Sequence, residues 1–264
     1  LSDINISSIG QPVLRMEDVR LLKGEGQFSD DFSLPGQVYV AMVRSPYPHA
    51  IIKGFDATDA LAMPGVVAIY NGQDVVDAGL EPIPHDPVPS TKYDMKLTNP
   101  DGGEIFIGPH LLLPTDKARH VGEAVGMVVA KTLVQAIDAA EAVDIDYEEL
   151  GFVADAMDAL ENESVSIWNE VKKNTLVDTT FGNEDETSAA FKVADHVVKA
   201  AFHVSRVTGV PLEPRAALAS YDNETNRYTL YAGSGGAVRQ KNELSKVLGI
   251  KPDDLRVLSY DVGG

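Results

Sequence analysis

Two glycine clusters stand where a chain can bring backbone N–H groups against a ligand. Ala232-Gly-Ser-Gly-Gly236 lies between an apolar run and an amphipathic one, and Asp261-Val-Gly-Gly264 follows a second apolar run. Glycines at a strand-to-helix turn let amide groups approach an anionic or polar group closely, assisted by the helix dipole. A tight turn without a ligand asks for the same glycines, so both readings stand from spacing alone. If the two preceding strands are neighbours in one sheet, the turns converge on one phosphate-bearing or oxo-bearing ligand. That makes Gly235, Gly236, Gly263 and Gly264 the candidate binding residues.

The other chemistry-bearing residues are less distinctive. Six histidines at positions 49, 85, 110, 120, 196 and 203 are scattered, none in a His-Glu-x-x-His arrangement, and read as ordinary core or surface residues. Gly-Ser-Gly-Gly misses the Gly-x-Ser-x-Gly spacing of a hydrolase elbow and lies downstream of every histidine. Glu123 and Glu213 stand out because they interrupt apolar or turn sequence, and a buried carboxylate needs a partner. Arg215 is one candidate for Glu213, and none is obvious for Glu123. Ion pairing or turn formation is the expected role of both, and no side chain is singled out as catalytic or as a metal ligand.

Residues 37–44, 49–55 and 66–70 read as strands, with a short helix at 56–63 ending before Pro64-Gly65. From 80 to 114 the prolines at 82, 84, 87, 89, 100, 109 and 114 forbid long regular elements, which predicts a surface excursion. A strand at 121–130, a helix opened by Thr132 with Gln135 three residues on, and a strand at 143–147 predict a β–α–β unit. Glu161-Asn-Glu-Ser164 is linker-like, so the expected division is 1–160 and 161–264. Beyond it, Asn183 caps a helix through 194, and alternation predicts a strand at 196–207. Strands at 215–221 and 227–231 flank the turn sequence Asp222-Asn-Glu-Thr-Asn226, a helix spans 237–248 before Gly249, and a last strand spans 255–260.

The composition narrows the partners. Lys+Arg total 22 against Asp+Glu 40, a net charge of -18, which repels phosphate backbones and anionic lipid. Nucleic acid and membrane are therefore not expected as partners. With no cysteine there are no disulfides, thiolate metal sites or cysteine-held iron–sulfur clusters in these 264 residues. Hydrophobic residues at 44% and charged residues at 23% describe a folded chain, and no apolar run reaches the roughly 20 residues that span a bilayer. The opening Leu1-Ser-Asp3 has no export signal, so a cytoplasmic chain is expected. Its lack of Met, and a Gly-Gly with nothing after it, suggest a chain trimmed or split in mid-domain.

Several segments resemble the molybdenum-binding subunit of the xanthine dehydrogenase/aldehyde oxidase family. Arg15-Met-Glu-Asp-Val-Arg-Leu-Leu-Lys-Gly24, Gln27-Phe-Ser-Asp-Asp31 and Leu34-Pro-Gly36 are similar to its opening. Val43-Arg-Ser-Pro-Tyr-Pro-His-Ala50, Met63-Pro-Gly-Val66, Asp116-Lys-Ala-Arg-His-Val-Gly-Glu-Ala-Val125, Ala136-Ile-Asp-Ala-Ala-Glu-Ala-Val143 and Asp146-Tyr-Glu-Glu-Leu150 resemble its α/β-hammerhead domain. Leu212-Glu-Pro-Arg215, the 228–236 segment and Asp261-Val-Gly-Gly264 resemble the start of its molybdopterin-binding domain. The resemblance implies an α+β fold, a hammerhead domain followed by an incomplete molybdopterin-binding domain.

It also implies hydroxylation of an aldehyde or electron-poor N-heterocycle with water as oxygen donor, at a molybdopterin-type molybdenum cofactor shared with a missing segment. Iron–sulfur and FAD subunits would be partners, alongside the remaining part of the molybdenum subunit. The family's three-glycine, Phe-Gly motif matches only at Gly263 and Gly264. The glutamine that commonly approaches the molybdenum oxo group is replaced here by Gly235, which leaves backbone amides of Gly235 or Gly236 as the substitute. The family's catalytic glutamate lies beyond position 264, so the general base is none of these residues and the chain alone is expected to be inactive. A non-catalytic module that docks redox subunits is the alternative.

Overall fold

In a computed structural model of the protein, residues 10, 12–84, 97–100, 102–103, 105–161, 165–171 and 174–264 are described. His85, Pro87, Pro89, much of the proline-rich excursion, most of the expected linker and the opening Leu1-Ser-Asp3 lie outside them. The chain divides into two compact units, one of Gly36–Thr208 with Glu243–Ile250, the other of Leu1–Pro35, Gly209–Asn242 and Lys251–Gly264. No helix among the described residues is long and apolar enough to cross a membrane.

The larger unit is built on small and branched residues. Strands β1 (Tyr39–Arg44), β3 (Val66–Asn71) and β5 (Ala124–Ala130) form an antiparallel sheet in the order β1-β5-β3. A second antiparallel sheet takes β2 (Ala50–Asp56), β4 (Lys117–Ala118) and β6 (Asp144–Glu149) in the order β4-β2-β6. The short helices α2 (Thr58–Leu61) and α3 (Gly72–Asp77) flank β3, and Asn71 caps α3 by accepting from Gln73 N and Asp74 N. Central β5 is buried along most of its length, with Val125 and Val128 in a core that includes Val43, Ala60, Ala118 and Ala139. Gly126 makes this core possible, since a Cβ there would stand 2.7 Å from the Phe55 ring.

Helix α4 (Leu133–Glu141) starts at Thr132, whose hydroxyl accepts Gln135 N–H at 3.2 Å, and buries Ala136 and Ala139. Strand, helix and strand follow one another as expected here, but β5 and β6 join different sheets. The predicted β–α–β unit is therefore not formed at this place: of the two strands that flank α4 in sequence, β5 joins one antiparallel sheet and β6 the other.

The same unit settles two of the polar residues. Glu123 accepts the backbone N–H of Arg119 and so ties its own turn, a partner that lies four residues away in sequence. His49 is 2% exposed and its Nδ1 lies 2.7 Å from Gly151 O, a core histidine.

Helix α5 (Glu184–Val193) is capped by Asn183 and buries no residue. The strand expected at 196–207 does not form. Residues 195–211 run without a ladder partner among the described residues, and Val198, Phe202 and Val204 are about nine-tenths exposed. Alternation marks a segment able to be a strand, but strand formation also needs a neighbouring edge.

In the smaller unit, α1 (Asp18–Leu22) and a 3-10 turn at Ser29–Asp31 precede a sheet ordered β7-β8-β9. Strands β7 (Ala217–Asp222) and β8 (Arg227–Ala232) form the expected hairpin. Asp222 holds the turn through Glu224 N and Thr225 Oγ1, and Asn226 takes the left-handed φ of 52°. Strand β9 (Leu255–Leu258) lies parallel to β8 and is reached through helix α6 (Ala237–Val247). This is the β–α–β crossover among the described residues, and its first strand begins 103 residues after the start of β5, where the sequence pattern places one. Phe32, Tyr231 and Tyr260 pack together, with ring centroids 5.1 Å (Phe32–Tyr231) and 4.6 Å (Phe32–Tyr260) apart.

Candidate functional site

Because β8 and β9 are parallel neighbours, both end at the same edge of the sheet, and the two glycine turns emerge side by side. Ser234 N–H donates to Ser259 Oγ at 3.3 Å across them. A cleft of about 510 Å³ opens there, lined by residues that include Ser29, Glu213, Arg215, Gly235, Gln240 and Gly263. Ligand sites in proteins run from roughly 300 to 1,000 Å³ and favour this position, outside the carboxyl ends of parallel strands. Gly264 lines an adjoining cleft of about 500 Å³ with Phe28, Asp30 and Gly263. Gly236 stands at the start of α6 and lines neither.

Glu213 has a different partner from the one expected. Its Oε2 accepts the backbone N–H of Gly263 at 2.5 Å, and it makes no ion pair with Arg215 among the described residues. Leu212 N–H in turn donates to Gly264 O at 2.9 Å, so the two segments clasp each other at two points. Arg215 lines the cleft as a cation. Gln240 is a second side chain that spacing missed: its Oε1 is buried and finds no donor among the described residues. Ser29, 7% exposed, comes from a segment more than 180 residues away in sequence, which no local pattern signals.

The glycines fall into two groups. A Cβ at Gly233 would stand 3.3 Å from Glu213 Oε1 and 3.3 Å from Ser29 Oγ, and one at Gly263 would stand 2.9 Å from Glu213 Cβ. Packing inside the chain therefore requires glycine at 263 and leaves 233 a tight fit that a small shift of the facing side chains would relieve. At Gly235, Gly236 and Gly264 an added Cβ meets nothing within 4 Å, and none of the three has a positive φ. Nothing inside the described residues demands glycine at those positions, whereas close approach of a ligand to their backbone would.

The second turn is anchored one step upstream. Arg20 reaches Asp261 with two guanidinium nitrogens, each at 2.6 Å, and Gln27 N–H donates to the same carboxylate at 2.7 Å. Asp261 N–H completes the pairing with Gln27 O at 3.0 Å. These donors, Arg20 foremost, lower the Asp261 carboxyl to about 2. The arrangement offers the Gly235 amide, an arginine and an amide side chain around an open cleft, while the amides of Ser234, Gly236 and Gly263 are bonded to Ser259 Oγ, Ser234 Oγ and Glu213. It suits a ligand rich in oxygen acceptors, held by donors fixed before it arrives.

Comparison with known proteins gives a consistent result. Residues 23–151 match the family described as "Aldehyde oxidase and xanthine dehydrogenase, a/b hammerhead domain", and residues 167–264 match "Molybdopterin cofactor-binding domain". The large subunit of nicotine 6-hydroxylase from Paenarthrobacter nicotinovorans is 35% identical over 97% of this chain and 29% of its own length. The carbon monoxide dehydrogenase large chain of Afipia carboxidovorans is 29% identical over 95% of this chain and 30% of its own. Among solved structures, quinoline 2-oxidoreductase from Pseudomonas putida 86 superposes with a TM-score of 0.78 at 32% identity, over 98% of this chain and 31% of that one. The chain thus spans about three-tenths of the length of the curated relatives it matches. With a hammerhead match and a cofactor-domain match in order along one α+β chain, the protein belongs to the xanthine dehydrogenase/aldehyde oxidase family, as a relative of its molybdopterin-binding subunits.

Proposed function

We propose that this chain contributes one wall of a molybdopterin-type molybdenum site in a hydroxylase that oxidises an aldehyde or N-heterocycle. The observation that carries the reading is the convergence of two glycine turns at the ends of parallel β8 and β9, with three glycines there that the chain's own packing does not need. Gly235, Gly236, Gly263 and Gly264 would hold the cofactor through backbone groups, with Gln240 turning its unpaired Oε1 to a donor. The N–H groups of Gly263 and Gly236 are already engaged, by Glu213 and by Ser234 Oγ, so these residues contribute through close backbone approach. When bound, the cofactor supplies the redox chemistry that places an oxygen from water on the substrate carbon.

In this reading residues 1–160 are the hammerhead domain and 161–264 the beginning of the cofactor domain. The rest of the molybdenum subunit completes the site, and iron–sulfur and FAD subunits take the electrons. This chain's residues orient the cofactor, and the general base comes from elsewhere, so the chain alone is inactive. With Gly235 where relatives commonly have glutamine, the isolated chain retains no near-stoichiometric molybdenum.

The test is coproduction with a polypeptide supplying the remaining length of a relative, followed by metal analysis and dye reduction with aldehydes and N-heterocycles. Molybdenum in the complex and substrate-dependent dye reduction are expected. A complex that forms yet holds no molybdenum would overturn this reading and leave a docking module.

A further inference from the structure

We infer that Glu213 is the positioning residue that fixes the two glycine turns against each other, a step that rests on the cofactor-binding reading of their cleft. Both turns are moulded on its side chain. Its Oε2 holds the Gly263 N–H of the turn after β9, and its Oε1 lies against the turn after β8, where with Ser29 Oγ it would stand 3.3 Å from a Cβ at Gly233. The glycine at 263 is therefore explained by Glu213, and the one at 233 lies in close contact with it, whereas those at 235, 236 and 264 do not touch it.

Glu213 acts through the turns and not on the ligand. An ionised carboxylate only accepts hydrogen bonds, so it cannot donate to an oxo or phosphate oxygen, and its charge would repel one. Its Oε2 is committed to an N–H inside the protein, and of the turn amides it is Gly235, on the cleft lining, that is left to face a ligand. Its backbone is prepared for the task. Pro214 confines Glu213 to extended conformations, and Leu212 N–H to Gly264 O sets the reach of the side chain. A lost contact here removes a charge-assisted hydrogen bond and loosens both turns together.

The test uses the whole 264-residue chain, labelled with nitrogen-15, with molybdate as the oxo-bearing probe. Three variants separate reach from charge: Glu213→Gln keeps the reach and an acceptor, Glu213→Asp keeps the charge but loses one methylene, and Glu213→Ala loses both. In the parent chain and in Glu213→Gln the Gly263 amide proton should lie downfield, and molybdate should shift the amide of Gly235. In Glu213→Asp and Glu213→Ala the downfield position should be lost and the apparent molybdate affinity should fall by about tenfold or more, the scale of one hydrogen bond to a charged group. Amides of β7, β8 and β9 should not move, which separates positioning from unfolding. If Glu213→Ala does not fold, the Gln and Asp pair still decides.

An unchanged Gly263 amide in Glu213→Asp, or Asp behaving as the parent while Gln does not, overturns the inference. If molybdate shifts no cleft amide in the parent while Gly263 responds to the variants as stated, the clasp stands and binding of an oxo-bearing ligand by this chain's turns alone is overturned, whereas a completed complex without molybdenum is what overturns the cofactor-binding reading.

Discussion

At the scale of single residues, the glycines separate folding from binding. Gly263→Ala drives a methyl group to 2.9 Å from Glu213 Cβ, an overlap that the neighbouring backbone must relieve. Overpacking of this kind costs about 1–3 kcal/mol, so thermal unfolding of the smaller unit should move down measurably. Gly235→Ala adds its methyl to open space at an ordinary φ and should leave unfolding within about 0.5 kcal/mol of the parent. The same change should lower molybdenum content in the completed complex, because it fills space a ligand needs. Calorimetry and metal analysis on the two variants should give opposite patterns. A Gly235→Ala complex with full molybdenum would count against ligand approach at this turn. The sequence displayed all these glycines equally. What sorted them was the position of Glu213, and that depends on a contact across 50 residues.

At the scale of elements, the turn after β9 depends on the segment around α1. Asp261 is held by Arg20 and by the Gln27 N–H, which lower its carboxyl from the usual 3.8 to about 2. A folded-state value below the unfolded one means that the contribution is complete above pH 4 and disappears as the pH falls through about 2. Stability of the smaller unit should therefore show an acid slope between those limits. Asp261→Asn should be less stable at neutral pH and should lose that part of the slope, as followed by circular dichroism of unfolding at a series of pH values. A parent slope retained in full by Asp261→Asn would show that other carboxylates carry it. Elements of this kind were legible where local chemistry decides them. Thr132 and Asn183 announce their helices, and the Asp222 to Asn226 turn announces its hairpin. The crossover was not legible, because a strand, helix and strand in sequence do not say which sheet each strand joins. The 121–147 pattern and the 227–258 pattern look alike, yet only the second pairs its strands in parallel.

At the scale of the whole molecule, acidity and exposed apolar surface act in opposite directions. A net charge of -18 disfavours association through repulsion, most strongly at low ionic strength. Against it stands the extended stretch at 196–210, where Val198, Phe202, Val204 and Val207 are 86% exposed or more and no backbone group is paired among the described residues. Alternate positions 198, 200, 202 and 204 are apolar, the pattern of a strand that buries one face. A segment with few buried contacts and unpaired amides opens at almost no cost in free energy. Trypsin should therefore cut first near Lys199 and Arg206, well before sites inside β1 to β6. Raising the salt concentration should screen the charge and let this apolar face drive self-association, seen as a rise in weight-average mass by sedimentation. Replacing Val198, Phe202 and Val204 by threonine should remove that rise while leaving the larger unit's unfolding unchanged. If the triple variant associates as strongly as the parent, the adhesive surface lies elsewhere on the molecule. If trypsin spares Lys199 and Arg206, the segment has found a strand partner that its own sequence does not name.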